Sequence, residues 1–126
     1  MAQGTQTILL VEDEASILKM TDIMLESQGY SVLTASTPRE ALRKAGKYAG
    51  EIHLLITDVV MPEMNGRELS KELLSTFPDM KRLFMSGYTA NVIAHRGVVD
   101  EGVNFIQNPF TRHGLLKIVE NTLNNV

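Results

Sequence analysis

Short apolar runs alternate along the chain with longer stretches whose apolar residues recur at helical spacing. Thr7-Ile8-Leu9-Leu10-Val11 reads as a buried strand, stopped by Glu12-Asp13-Glu14. Ile17, Leu18, Met20, Ile23, Met24 and Leu25 then form a wide helical stripe. Gln28-Gly29 ends that helix, because glycine accepts the left-handed conformation at a C-terminus. Ser31-Val32-Leu33-Thr34-Ala35 is a second strand. Thr37-Pro38-Arg39-Glu40 opens a second helix, with Thr37 as N-cap, Pro38 in the first turn and Glu40 completing a capping box. Its buried face is Ala41, Leu42, Ala45 and Tyr48. A third strand over 52–57 ends at Asp58, and a loop over 59–66 follows, with Pro62 and Asn65-Gly66 as breakers. Leu69, Leu73, Leu74 and Phe77 mark a third helix, closed by Pro78-Asp79. A fourth strand over 82–85 ends at Ser86-Gly87, a short helix of weak period covers 89–97, and a fifth strand covers 103–106. After a break at Asn108-Pro109-Phe110, Thr111 caps a last helix with Leu115, Leu116, Val119 and Leu123 inward.

Five strand–helix units of this kind predict an α/β fold. Strands that are apolar at nearly every position suit a parallel sheet covered on both faces. Right-handed crossovers then give a doubly wound sheet, whose ligands bind outside the carboxyl ends of the strands. We read residues 1–6 as a tail and 7–126 as one domain.

Composition narrows the chemistry. With 126 residues, 44% of them hydrophobic, one core can form without cross-links, and there is no cysteine for a disulfide or a thiolate metal site. A cytoplasmic location is the expectation. No apolar run approaches the length of a membrane span, and a net charge of −3 gives no footprint for nucleic acid or anionic lipid. Function is therefore expected from a local site.

The first, third and fourth strands end at Glu12-Asp13, Asp58 and Ser86, and Asn108 follows the fifth. In a parallel sheet these ends share one edge. Taken singly, each residue has a plain structural reading: acids at a helix N-terminus, a capping aspartate, a Ser-Gly turn, an Asn-Pro loop. Jointly they place three carboxylates in one cleft, where mutual repulsion raises their pKa values. A hard divalent cation, Mg²⁺ or Mn²⁺, resolves that conflict. It would also let Asp58 act as a nucleophile toward a phosphoryl group.

The residues Ile8-Leu9-Leu10-Val11-Glu12-Asp13-Glu14, Thr57-Asp58-Val59-Val60-Met61-Pro62, Met64-Asn65-Gly66, Met85-Ser86-Gly87-Tyr88 and Phe105-Ile106-Gln107-Asn108-Pro109-Phe110 closely resemble those of response-regulator receiver domains of two-component signalling. The resemblance runs from Thr7 to the C-terminus. It implies a flavodoxin-like, five-stranded parallel sheet of order 2-1-3-4-5 with helices on both faces. It implies that Asp58 is phosphorylated from a phosphohistidine on a histidine kinase or phosphotransfer domain. Asp13, Asp58 and the Val60 carbonyl would bind the cation, with Glu12 acting through metal-bound water. Ser86 would hydrogen-bond the phosphoryl group, and Phe105 would change rotamer with it. The coupled face would lie around Tyr88, Val92, Val98 and Val99. The bond before Pro109 would be cis.

One departure stands out. The family carries a lysine immediately before that proline, and this chain has Asn108. Three carboxylates with one divalent cation leave a net negative charge that a lysine would offset and an amide does not. Arg112, in the unusual helix opening Arg112-His113-Gly114, is either a substitute cation or a surface residue. The expected function is a phosphoacceptor in a phosphorelay that switches conformation. This is either a stand-alone receiver or, in the reading we favour from the wording around residues 4–7, 86–89 and 105–107, the receiver segment of a hybrid sensor histidine kinase. Such a domain assists its own phosphorylation, while kinase activity would belong to the parent chain. A degenerate, unphosphorylated protein-binding receiver is the alternative that Asn108 supports. A flavin carrier is disfavoured, because Glu12-Asp13-Glu14 would repel the cofactor phosphate.

Overall fold

A computed structural model of the chain describes residues 6–59, 61, 63–86, 104–107 and 110–124. Five strands, β1 (Thr7–Val11), β2 (Ser31–Ala35), β3 (Leu54–Asp58), β4 (Lys81–Ser86) and β5 (Asn104–Gln107), form one sheet in the order β2-β1-β3-β4-β5. All four pairings are parallel. Four helices are described: α1 (Ala15–Glu26), α2 (Pro38–Lys47), α3 (Gly66–Leu74) and α4 (Arg112–Asn124). The expected helix over 89–97 lies outside the described residues, as do Tyr88, Val92, Val98 and Val99.

The continuous apolar runs have a simple cause. Successive side chains of a strand point to opposite faces. Leu9, Val11 and Leu55 therefore join one core cluster with Ala41 and Ala45 of α2 and Leu69 and Leu73 of α3. Ile8, Leu10, Leu54, Ile56, Leu83 and Met85 join the other with Leu25 of α1 and Leu115 and Val119 of α4. The two clusters lie on opposite faces of β1 and β3, so the register of these strands is fixed from two sides. A one-residue slip would exchange the two sets of side chains.

Local signals set the element ends. Gly29 has φ 92°, the left-handed conformation expected after α1. The Thr37 hydroxyl accepts the Glu40 N–H at 3.0 Å. The Glu40 carboxylate does not close a box on Thr37; it accepts from the Ser36 N–H at 2.7 Å. Thr111 caps α4 by accepting from the Gly114 N–H at 2.9 Å. Asn65-Gly66, expected to break the chain, instead starts α3. Asn65 accepts the Glu68 N–H at 2.8 Å and Glu68 accepts the Asn65 N–H at 3.0 Å, a complete capping box. The apolar stripe of α1 is narrower than its sequence implied: Met20 is 42% and Ile23 57% exposed, while Thr21 is buried and bonds its hydroxyl to the Ile17 carbonyl. α3 ends at Leu74, short of Phe77, which is held by a bond from its N–H to the Leu73 carbonyl.

Two glycines predict opposite responses. A Cβ on Gly66 would stand 2.4 Å from the Asp58 carbonyl oxygen and 3.1 Å from Phe84, whereas one on Gly46, inside α2, would meet nothing within 4 Å. Gly66→Ala is expected to cost about 1–3 kcal/mol through overpacking. Gly46→Ala is expected to stabilise by up to about 1 kcal/mol. Urea unfolding of the two variants measures both; equal effects would show that α3 does not sit against β3 as described.

Candidate functional site

The site forms at the carboxyl edge of the sheet. Val11 pairs with Thr57, so Glu12 and Asp58 leave neighbouring strands side by side. Glu12 is 2% and Asp58 8% exposed, and Asp13 is exposed. One carboxylate oxygen from each of the three lies within 4.8 Å of the others. The backbone fixes two of these groups. The Glu12 Oε2 accepts the Glu14 N–H at 2.8 Å, which orients the carboxylate toward Asp58. The Val59 N–H donates to the Met85 carbonyl at 3.0 Å, and the Gly66 N–H donates to the Val59 carbonyl at 2.8 Å. The Thr57 hydroxyl donates to the Asp58 carbonyl at 3.1 Å. Asp58 is thus pinned between β4 and the first residue of α3.

This arrangement is electrostatically expensive. Burial, then the facing Glu12 carboxylate and Asp13 behind it, push the Asp58 carboxyl up to about 9. Glu12 is also raised, by burial first, but Asp58 and the Glu14 N–H pull it back. Both carboxyls are thus driven toward the protonated form, Asp58 the more strongly. The second Glu12 oxygen, Oε1, is buried with no hydrogen-bond partner among the described residues. Three hard oxygens, one of them orphaned, and a carboxyl that keeps its proton for want of a counter-charge form a donor set that fits Mg²⁺ or Mn²⁺.

The other expected site residues divide into those described and those not. Ser86 ends β4 opposite Gln107, in register with the same edge; its side chain lies outside the described residues. Val60, Asn108 and Pro109 also lie outside them. Phe105 is half-buried and pairs with Phe84 across β4 and β5. Arg112 does not serve the acidic cluster. Its guanidinium donates to the Ser27 hydroxyl at 2.7 Å, at the far end of α1, so it is no substitute for a lysine at position 108.

Two residues were not placed at the site from the sequence, Gly66 having been read only as part of a break. Gly66 is required because α3 begins in contact with the Asp58 carbonyl; the Asn65-x-x-Glu68 capping pattern was the available signal. Glu63 adopts φ 79° in the loop after β3, a conformation that costs energy for a residue with a side chain. No sequence pattern at Glu63 announces it.

Comparison with known proteins agrees with the geometry. The family model described as response regulator receiver domain matches residues 8–120. The sensor kinase CckA of Brucella abortus is 38% identical over 120 residues, covering 95% of this chain and 13% of that protein. The chain thus spans a small part of that relative's length. Among solved structures, the receiver domain from the hybrid histidine kinase CckA superposes with TM-score 0.79 at 34% identity, covering 94% of this chain and 99% of that one. The chemotaxis response regulator CheY4 of Vibrio cholerae does so with TM-score 0.80 at 31% identity, covering 93% and 98%. Sheet order, acidic cleft and sequence agree, and the chain belongs to the response regulator receiver domain family of two-component signalling.

Proposed function

We propose that this domain accepts a phosphoryl group on Asp58 from a phosphohistidine of a histidine kinase or phosphotransfer protein, using Mg²⁺ or Mn²⁺. The observation that carries this reading is the Glu12–Asp13–Asp58 cluster at one sheet edge, with Glu12 and Asp58 buried and Asp13 at its open side. Glu12, Asp13, Asp58 and the Val60 carbonyl would hold the cation. When bound, the cation supplies the positive charge that keeps Asp58 ionised and offsets the phosphoryl oxygens. An Asp58 carboxylate oxygen then forms the new bond to phosphorus as the phosphorus–nitrogen bond of the donor breaks, and the imidazole leaves with the electron pair. Ser86 and Phe105 carry the change to the face around Tyr88, Val92, Val98 and Val99. The likeness to CckA supports membership of a hybrid sensor kinase; the CheY4 likeness supports a stand-alone receiver. Asn108 favours a second reading, a receiver that binds partners without being phosphorylated.

Intact mass after incubation with Mg²⁺ and acetyl phosphate separates the two readings. One added phosphoryl group, dependent on Mg²⁺ and absent in Asp58→Asn, is expected. An inert wild type that still binds Mg²⁺ would establish the degenerate reading.

The proton on Asp58 has a consequence for stability. The folded state keeps a proton that the unfolded chain releases near the ordinary aspartate pKa of about 4. The contribution of Asp58 to folded stability is therefore fully present below that pH and is lost as pH rises toward about 9. In EDTA, Asp58→Asn is expected to flatten this decline and to stabilise the domain by about 1–3 kcal/mol at pH 7.5. Mg²⁺ should stabilise wild type increasingly with pH and the variant little. Parallel pH profiles for the two proteins would rule out a protonated Asp58.

Asn108→Lys should restore a cation at the phosphoryl oxygens. A gain of roughly 1–2 kcal/mol corresponds to about a five- to thirtyfold faster phosphorylation or larger switched population. Mg²⁺ affinity should fall, because the new charge repels the ion. Rate, switching and affinity that all stay unchanged would mean that residue 108 does not face the cleft.

A further inference from the structure

A second concave region lies away from the acidic cleft, between the turn after α1 and the outer face of α4. It encloses about 430 Å³, within the roughly 300–1,000 Å³ typical of small-molecule sites. Its walls include Gln28, Tyr30, Arg112, His113, Lys117 and Glu120. In a chain of net charge −3, three of its basic side chains gather here around one carboxylate. None of the three forms an ion pair within 4 Å among the described residues.

Arg112 has a structural role, since it bonds to Ser27 at the C-terminus of α1, where a cation suits the helix dipole. His113 and Lys117 have no such partner among the described residues. Arg112 also occupies the first position of α4, where a cation opposes the dipole, and His113 follows it. The side chains are thus placed at a local cost and face a shared cavity.

Tyr30 supplies the independent observation. It is 7% exposed and lines the cavity, yet its hydroxyl has no hydrogen-bond partner among the described residues. Burial, and secondarily Glu120, hold its phenol above the ordinary tyrosine range, so it remains a donor. The hydroxyl is not among the buried unpaired polar atoms of the described residues, so it reaches solvent, and the cavity is where a ligand can accept from it.

We propose that this cavity binds a phosphate ester of about mononucleotide size. The phosphate would lie against Arg112, His113, Lys117 and the Tyr30 hydroxyl. The Glu120 carboxylate and Gln28 amide would take hydroxyl or amino groups at the other end. Such a site gives the domain a second, small-molecule input that does not require Asp58.

The test is a titration of the whole chain in EDTA, which removes cation-assisted phosphate binding at the acidic cleft. Probes are ADP, AMP and inorganic phosphate, followed by amide NMR. Saturable shifts with ADP or AMP, centred on Gln28, Tyr30 and residues 112–120, are expected. Lys117→Ala should weaken binding by about tenfold or more, and Tyr30→Phe by about three- to tenfold. Unfolding midpoints of both variants should match wild type, which separates lost binding from lost structure. The proposal is overturned by lack of saturation on the order of 10 mM, by shifts confined to Asp13 and Asp58, or by binding that ignores Lys117→Ala. Inorganic phosphate binding as tightly as the nucleotides would overturn the assignment to an ester.

Discussion

Two acidic side chains, Glu12 and Asp58, are buried against each other at the ends of adjacent strands, and the rest of the domain is arranged to make them stay there. Burying like charges is unfavourable, and folding must offset it elsewhere. The offset is the sheet. β1 and β3 are buried along their whole length between two apolar layers, so their carboxyl ends have no freedom to move apart. Each deleted core side chain would cost about 2–5 kcal/mol.

The same packing explains why the site is poised for a cation. A flexible loop bearing three acids would let them spread into water. Here the Glu14 N–H holds Glu12, and the start of α3 presses on the Asp58 carbonyl. The carboxylates cannot relax, so protonation or a counter-ion is left as the means of relief. Charge is thereby made conditional, which is the property a phosphoacceptor switch needs.

Strand edges and the acidic trio were legible in the sequence because each depends on a strong, local signal, whereas the sheet order came from family resemblance. A run such as Ile8-Leu9-Leu10-Val11 specifies a two-sided strand, and the polar residue that stops it specifies an edge. Residue roles such as those of Val60 and Phe105 came instead from family resemblance. What was not legible depends on tertiary contact. Met20 and Ile23 look like core by spacing, but both are exposed, while Thr21 between them is buried. Asn65-Gly66 looks like a break, and becomes a helix start because α3 must approach Asp58 closely. Arg112 was legible as a cation near the site in sequence, but its direction was set by Ser27, 85 residues earlier.

That direction has a further consequence for how charge is divided. The acidic cleft precedes the first turn of α1, and the basic cavity follows its last. Twelve residues of helix separate them by about 18 Å, more than the Debye length of roughly 8 Å at physiological ionic strength. The two centres therefore scarcely screen one another, and neither neutralises the other. Had Arg112 turned toward Asp58 instead, it would have lowered the carboxyl pKa and weakened the demand for a cation. Tied to Ser27, it leaves the cleft fully acidic and the opposite end of α1 basic. The proposed cation site and the proposed anion site would then lie at opposite ends of a single helix.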